Sequence, residues 1–288
     1  MLDVRYNFVH EVPYRADRRI AEDDNDMALR GYQHAYSSRC AAVHDVPARE
    51  RKARTMLAVL GDHFAGRLHD LDLLDVGAST GIIDNVLAGA IRNVVGVDID
   101  AGAIAYATRA FGRSNLSFIV GDAMALPFPD ESFDVAVCAH AYEHVPDSRR
   151  MIEEVLRVLK PGGACYFAAG NRLMWIEPHY GLPLLSVLPR PLAHAYVRAA
   201  GKAHHYHELH LTCRGLEKLV RGFVLHDYTR RIVTAPKAFG VDYMLQPGSA
   251  KAALARIVAR YAYWLMPGYI WILEKPRLNP RRGATVSA

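Results

Sequence analysis

Cysteine is scarce in this chain, with four residues among 288. Cys40, Cys138, Cys165 and Cys213 form no C-x-x-C pair, so a redox or metal motif of that type is excluded. Cys138 and Cys165 also fall inside apolar segments that we expect to be buried strands. Cysteines in such positions are expected to stay reduced, which favours a cytoplasmic protein.

Targeting and membrane-spanning signals are lacking as well. Residues 1–5 do not have the basic-then-apolar order of a signal peptide, so we expect no export. The most apolar window, residues 254–273, is interrupted by Arg256, Arg260 and Pro267, which makes it a poor membrane span. Internal repeats and low-complexity stretches are absent too.

A concentrated basic stripe is missing, although the formal net charge is +5 and the pI is about 9.0. Lysine and arginine are scattered along the chain, so we expect no nucleic-acid partner. What the chain has in quantity is apolar residues, at 51% of the total. That content is ample for the core of one domain with elaborations.

The most informative segment is Asp75-Val76-Gly77-Ala78-Ser79-Thr80-Gly81, which ends an apolar run. A strand that enters a glycine turn and then a helix is the phosphate-binding start of many doubly wound α/β folds. Asp75, however, stands where it would repel a pyrophosphate. S-adenosylmethionine (SAM) suits this loop better, because its amino and sulfonium groups are cationic and its carboxylate can accept backbone N–H groups.

Further acidic positions follow at the ends of the next predicted strands. Asp98 comes seventeen residues after Gly81 and could accept both ribose hydroxyls, with Ile99 against the adenine. Gly121-Asp122-Ala123 follows the third strand and could present a carboxylate and an N–H to the adenine edge. Further strands are predicted at residues 133–138, 164–169, 223–233 and 269–275, with a helix at residues 151–159.

This ordered set resembles the class I SAM-dependent methyltransferases, in particular the small-molecule enzymes of methyltransferase type 11. The resemblance covers about residues 50–275 and includes Phe133-Asp134 and Leu156-Arg157-Val158-Leu159-Lys160-Pro161-Gly162-Gly163. It implies an enzyme that transfers a methyl group from SAM. The positions that match the cofactor motifs are Asp75, Gly77, Ala78, Gly81, Asp98, Ile99, Asp122, Ala123 and Ala139.

One position departs from the family pattern, which often has a glycine where this chain has Ser79. The approach of the loop to the methionine half of SAM is therefore expected to differ. The alternative to an enzyme is a non-catalytic SAM- or nucleotide-binding α/β module.

The resemblance implies an α/β fold, a doubly wound Rossmann-like seven-stranded sheet with an antiparallel last strand, plus lid insertions. We predict an N-terminal helical cap at residues 1–50, a methyltransferase domain at residues 51–275 and a flexible tail at residues 276–288. Within the domain, residues 171–210 form a lid insertion and residues 234–267 a helical insertion.

Candidates for a general base follow the fourth strand, in Ala139-His140-Ala141-Tyr142-Glu143-His144. If this stretch turns into a helix, His140, Glu143 and His144 share one face. Histidine is an apt base for a hydroxyl acceptor at neutral pH. His179, in the predicted lid, and His210 are further candidates for contact with the acceptor.

A divalent metal at the same place is possible but not favoured. The ubiquinone-pathway O-methyltransferases, which this stretch resembles, carry an acid, two residues and then Glu-His, and hold a divalent ion there. Here His140 replaces the first acid, which disfavours Mg²⁺ and leaves zinc-like metals open. The other interpretation is that Glu143 and His144 only orient the loop.

The insertions are expected to select the acceptor. Residues 171–210 are too apolar for a plain solvent loop, and Leu184, Leu185 and Leu188 are predicted either to pack the lid or to form a wall for a lipid-like acceptor. The acceptor is expected to be a small-molecule or lipid-linked compound of the kind found in cell-envelope or secondary-metabolite biosynthesis.

An apolar stripe in the helical insertion comprises Leu254, Ile257, Val258, Tyr261 and Leu265, with basic residues between. Such a stripe most often packs on its own domain. The alternative is peripheral contact of an otherwise cytoplasmic protein with the inner face of the membrane. The sequence leaves the oligomeric state undefined.

Overall fold

The computed structural model describes residues 32–277, and the predicted N-terminal cap and tail lie largely outside them. Seven strands form one sheet in the order β3-β2-β1-β4-β5-β9-β8. The strands pair in parallel from β3 to β5, whereas β9 is antiparallel to both of its neighbours. The predicted seven-stranded sheet with an antiparallel last strand is confirmed.

The strands of this sheet are β1 (Asp72–Val76), β2 (Asn93–Asp98), β3 (Leu116–Val120), β4 (Phe133–Ala139), β5 (Leu159–Gly170), β8 (Val224–Asp227) and β9 (Gly268–Glu274). A separate hairpin pairs β6 (Ile176–Glu177) with β7 (Leu182–Pro183). Leu73 and Leu74 of β1 belong to different apolar clusters because consecutive side chains point to opposite faces of a sheet. The sheet is therefore covered on both faces, as in other doubly wound folds.

The α-helices of the described residues are Tyr36–Arg39, Val46–His63, Ile82–Leu87, Ala101–Ala110, Ser148–Val158, Arg190–Ala199, Cys213–Leu219, Tyr228–Thr234 and Ala250–Tyr261. Several begin at a polar residue whose side chain accepts a backbone N–H of the first turn. Asp45, Asp100, Asp147 and Ser249 do so. These caps satisfy N–H groups that have no partner inside the helix.

The predicted extent of the sixth strand was wrong, and the helix considered after β4 does not form. The sixth strand ends at Asp227, and the rest of its predicted length is the helix Tyr228–Thr234. Asp227 starts that helix, since its side chain accepts the Arg230 N–H at 3.2 Å. The segment after β4 is a turn rather than a helix, because His140 has a φ of 58° and its N–H is donated to Ala168 O at 2.8 Å.

The lid insertion has a small core of its own. Leu182, Leu185, Ala193, Val197 and Tyr206 are buried together, and Leu188 packs against them. Leu185 and Leu188 are therefore packing residues, and the prediction that they form an acceptor wall is not supported. Other apolar side chains of the lid face outward, with Trp175 68% exposed.

The apolar stripe of the helical insertion also faces outward. Leu254 is 61% exposed, Ile257 57% and Tyr261 75%, whereas Val258 packs against the core. The expectation that the stripe packs on its own domain is correct for Val258 and wrong for Leu254, Ile257, Tyr261 and Leu265, the last of which is 44% exposed. No helix within residues 32–277 is long and apolar enough to cross a membrane.

Candidate functional site

The glycine loop after β1 depends on backbone conformations that few residues adopt. Gly77 has a φ of 93° and Gly81 a φ of 71°. A Cβ on Gly81 would lie 2.5 Å from the Phe118 ring, so no side chain fits there. Ser79 also has a positive φ, of 53°, a conformation that glycine adopts without strain.

Asp98 lies at the end of β2 and faces this loop. Its Oδ2 accepts the Ser79 N–H at 2.8 Å, and its Oδ1 accepts the Asp100 N–H at 2.9 Å. Burial raises the pKa of Asp98, and the two backbone donors oppose that shift. Each carboxylate oxygen keeps a further lone pair, so the group can still accept hydroxyls from a ligand.

Asp75 is buried at the end of β1 beside a second buried carboxyl group, that of Asp84. Burial raises the pKa of Asp75 to about 7, and the positive charge of Arg49 opposes the shift. Burial and the neighbouring Asp75 raise the pKa of Asp84 as well. The pair forms a potential cation site, and the positive charge of Arg49 acts on both of its carboxyl groups.

The other positions matched to cofactor motifs follow neighbouring strands. Ile99 is half-buried after β2, and Asp122 accepts the Met124 N–H at 2.9 Å in the turn after β3. Ala123 is in the same turn, and Ala139 ends β4. In parallel strands these ends meet at one edge of the sheet, where the strand order reverses between β1 and β4.

The segment that precedes the sheet also contacts this edge. The sequence did not predict these contacts in detail. The Ser37 N–H donates to Asp100 Oδ2 at 2.8 Å, and Thr80 Oγ1 donates to Val43 O at 2.6 Å. Arg49 was missed altogether, although its charge acts on Asp75. The only sequence signal for it was a basic residue near the start of a helix.

His140 and Glu143 lie next to each other after β4. The side chain of His140 is 49% exposed, and its Nδ1 is 3.4 Å from Glu143 Oε1. Glu143 is fully buried, and burial would raise its pKa, but His140, His144 and His210 lower it to about 2. A partly exposed imidazole supported by a buried carboxylate can accept a proton and be stabilised as the cation.

His144 and His179 lie behind this pair, with their ring centroids 4.9 Å apart. Burial lowers the pKa of His144 to about 4. Burial would also lower the pKa of His179, but the hydrogen bond to Glu177 and the charges of Glu208 and Glu143 raise it to about 9. These residues come from the loop after β4 and from the lid.

His210 does not face an open acceptor site. Its ring is buried, and its Nε2 is 3.4 Å from Glu177 Oε1. Glu177 and Glu208 were not singled out from the sequence, although each lies within three residues of a histidine. Their burial depends on the fold of the lid.

Comparison with known proteins agrees with the fold. A family model described as a methyltransferase domain matches residues 74–167. A methyltransferase of uncharacterised activity from Mycobacterium marinum is 30% identical over 210 residues, which are 73% of this chain and 72% of that protein. A demethylmenaquinone methyltransferase from Renibacterium salmoninarum is 40% identical over 91 residues, or 32% of this chain and 38% of that protein.

Among solved structures, a complex between the Haloferax volcanii Trm112 methyltransferase activator and a methyltransferase contains a similar chain. It aligns with a TM-score of 0.53 at 18% identity and covers 87% of this chain and 99% of that chain. This likeness concerns the fold alone.

The fold and these relatives define an α/β enzyme of the methyltransferase class, whose cofactor is SAM. The chain belongs to the class I SAM-dependent methyltransferase family.

Proposed function

We propose that this enzyme transfers the methyl group of SAM to an oxygen of a small-molecule, glycan or lipid-linked acceptor, with His140 as the base. The observation that carries the proposal is the position of His140. Its half-exposed imidazole directly follows Ala139 at the end of β4, and the buried Glu143 lies 3.4 Å from it. The residue after His140, Ala141, lies 3.2 Å from the place where a Cβ on Gly77 of the glycine loop would stand.

The charges at the sheet edge support a specific orientation of SAM. Asp98 accepts the ribose hydroxyls, while Asp75 faces the cationic methionine half. Arg49 lies close enough to Asp75 to affect its pKa and is our candidate partner for the SAM carboxylate. Residues 32–45 close the site through the contacts of Ser37 and Val43.

Methyl transfer is an in-line displacement at the methyl carbon. The acceptor oxygen forms the new bond to carbon, the sulfur–carbon bond breaks, and S-adenosylhomocysteine leaves as a neutral sulfide. The hydroxyl proton goes to His140, and the carboxylate of Glu143 stabilises the resulting imidazolium. Positioning of the two reactants supplies most of the remaining rate enhancement.

The exposed apolar side chains of the lid are evidence for an acceptor with an apolar part. Trp175, Ile176, Leu184 and Leu192 are exposed on it although they are apolar. The lid is attached next to the site, because the Leu209 N–H donates to Glu143 O at 2.8 Å and the Leu211 N–H donates to Tyr142 Oη at 3.1 Å. Its outward apolar side chains are available to a lipid-like chain.

The exposed stripe of the helical insertion supports peripheral contact with an anionic bilayer. Leu254, Ile257 and Tyr261 are accompanied by the exposed basic residues Lys251 and Arg256. Apolar side chains can enter the interface while basic ones bind anionic headgroups. Contact of this kind would bring the enzyme to a lipid-linked acceptor.

The proposal is tested with deuteromethyl SAM and a panel of acceptors. The panel contains cell-envelope lipids, glycan precursors and hydroxylated quinone precursors, the last because one relative is named demethylmenaquinone methyltransferase. Mass spectrometry should find a labelled methyl ether together with S-adenosylhomocysteine. A label found only on carbon or nitrogen would overturn the assignment to oxygen.

A further inference from the structure

A cluster of imidazole and carboxylate groups occupies the space between the loop after β4 and the lid. His144 comes from that loop, His179 from the turn between β6 and β7, and Glu208 from the segment that follows the lid helix Arg190–Ala199. One ligand atom from each of the three lies within 4.8 Å of the other two. Residues far apart in the sequence therefore converge on one point.

The cluster contains buried polar atoms without a hydrogen-bond partner among the described residues. They include His144 Nδ1 and Glu208 Oε2. The Glu208 side chain is 4% exposed, and its Oε1 is 4.0 Å from His144 Nδ1. Buried polar atoms of this kind normally have a partner, so two of them within a group whose ligand atoms lie within 4.8 Å of one another indicate an additional ligand.

The third ligand is already oriented by a carboxylate. His179 Nδ1 lies 2.5 Å from Glu177 Oε1, which leaves Nε2 as the nitrogen that can bind another group. Glu177 is itself fixed, since its Oε2 accepts the Tyr180 N–H at 2.9 Å. A carboxylate that holds the distal nitrogen of a histidine is the usual support of a metal-binding imidazole.

We propose that His144, His179 and Glu208 bind one divalent transition-metal ion of the zinc type. Two imidazole nitrogens and one carboxylate suit zinc and disfavour Mg²⁺ and Ca²⁺. Tetrahedral binding needs ligand atoms about 3.3 Å apart, so ligand atoms that lie within 4.8 Å of one another must approach by at most about 1.5 Å. A fourth position remains for water or for the acceptor oxygen, and only that last role rests on the proposed methyl transfer.

The alternative is a metal-free ion network, in which a protonated His179 lies between Glu177 and Glu208. It predicts no stoichiometric affinity for zinc. A direct measurement of zinc binding distinguishes the metal site from the ion network, and it needs neither an acceptor nor methyl transfer.

The experiment uses the full-length protein without a histidine tag, stripped with a chelator and titrated with Zn²⁺ against a chromophoric competitor. Wild type should bind one equivalent. His179→Ala and Glu208→Gln should each weaken zinc binding at least 100-fold, and Glu177→Gln should weaken it about 10- to 100-fold through the orientation of His179. The matched control is His204→Ala, an exposed histidine of the lid, which should bind zinc as wild type does.

SAM affinity, measured on the same variants, reports whether each is folded and should be unchanged. The proposal is overturned if wild type takes up no stoichiometric zinc, or if folded His179→Ala and Glu208→Gln bind it as tightly as wild type. Neither outcome affects methyl transfer by His140. Conversely, if the protein binds zinc but transfers no methyl group, the proposed function is contradicted and the proposed metal site is not.

Discussion

The Ser79 N–H donates to Asp98 Oδ2 at 2.8 Å, so the glycine loop and the acid at the end of β2 are joined directly. This bond holds Ser79 at a φ of 53°. The left-handed conformation is unfavourable for a residue with a side chain by about 1–2 kcal/mol. The loop thus fixes the Asp98 carboxylate and the Ser79 N–H relative to each other.

Ser79→Gly is expected to retain SAM affinity and thermal stability, because glycine adopts this conformation without strain. Ser79→Val is the matched comparison and should lose both, because a β-branched residue tolerates a positive φ poorly. Calorimetry and thermal unfolding check the pair. If the valine variant equals the glycine variant in both measurements, the backbone conformation of Ser79 does not matter for the site.

SAM affinity should depend on pH through Asp75, whose pKa is raised to about 7 by burial. Below that pH the carboxyl group is protonated and cannot attract the SAM ammonium group. We expect affinity to fall by up to about tenfold per pH unit below pH 7. The Asp75→Asn variant should bind more weakly and without this dependence, and an equal pH slope in the variant would assign the effect to another group.

SAM affinity should rise with pH, whereas the folding stability of the enzyme without SAM should fall with pH. Because the pKa of Asp75 is higher in the folded than in the unfolded state, the folded protein binds more protons between about pH 4 and pH 7. The free energy of unfolding should therefore decrease as pH rises through this window. Chemical denaturation at pH 5 and pH 7.5 checks the sign, and Asp75→Asn should show a smaller decrease.

His140→Ala should lower the rate of methyl transfer by about 10²–10⁴-fold while SAM affinity stays constant, because the acceptor loses its base. Glu143→Gln should lower the rate less, since the imidazole remains and only its supporting charge is removed. The control is the exposed His204→Ala. Full activity of His140→Ala would mean that the acceptor needs no base or is deprotonated by a different residue.

Binding to anionic vesicles should require the exposed stripe. A variant with Leu254, Ile257 and Tyr261 changed to serine should lose sedimentation with vesicles rich in phosphatidylglycerol and retain its SAM affinity. Val224→Ser, an exposed apolar position on β8, is the control and should sediment as wild type does. If the triple variant still sediments fully, the stripe is not the membrane contact.

The cofactor edge could be predicted from the sequence because its signals are local. Asp75, Gly77 and Gly81 stand at fixed spacing after one strand, and Asp98 ends the next. Parallel strands bring such positions together whatever the details of packing. The order of the motifs along the chain was therefore enough to place the cofactor edge, whereas the antiparallel last strand was implied by the resemblance to the family.

The acceptor side could not be predicted in the same way. His144, His179 and Glu208 meet only because the lid folds back over the loop after β4, and nothing in their spacing encodes that contact. Helical spacing likewise could not distinguish Leu185, which is inside the lid core, from Leu254, which faces solvent. The sequence left the conformation after β4 open, because the turn at His140 depends on a hydrogen bond to Ala168 of β5.

The central claim is that SAM binds at the sheet edge formed by the carboxyl ends of β1, β2, β3 and β4, and that Asp98 accepts the ribose hydroxyls. Titration calorimetry of wild type and Asp98→Ala tests it most directly, with Asp98→Asn as the conservative variant. Two hydrogen bonds to a charged acceptor contribute about 1.5–3 kcal/mol each, so we predict one SAM per wild-type chain and a loss of at least about 100-fold in Asp98→Ala. Wild-type affinity in a folded Asp98→Ala variant would contradict the account.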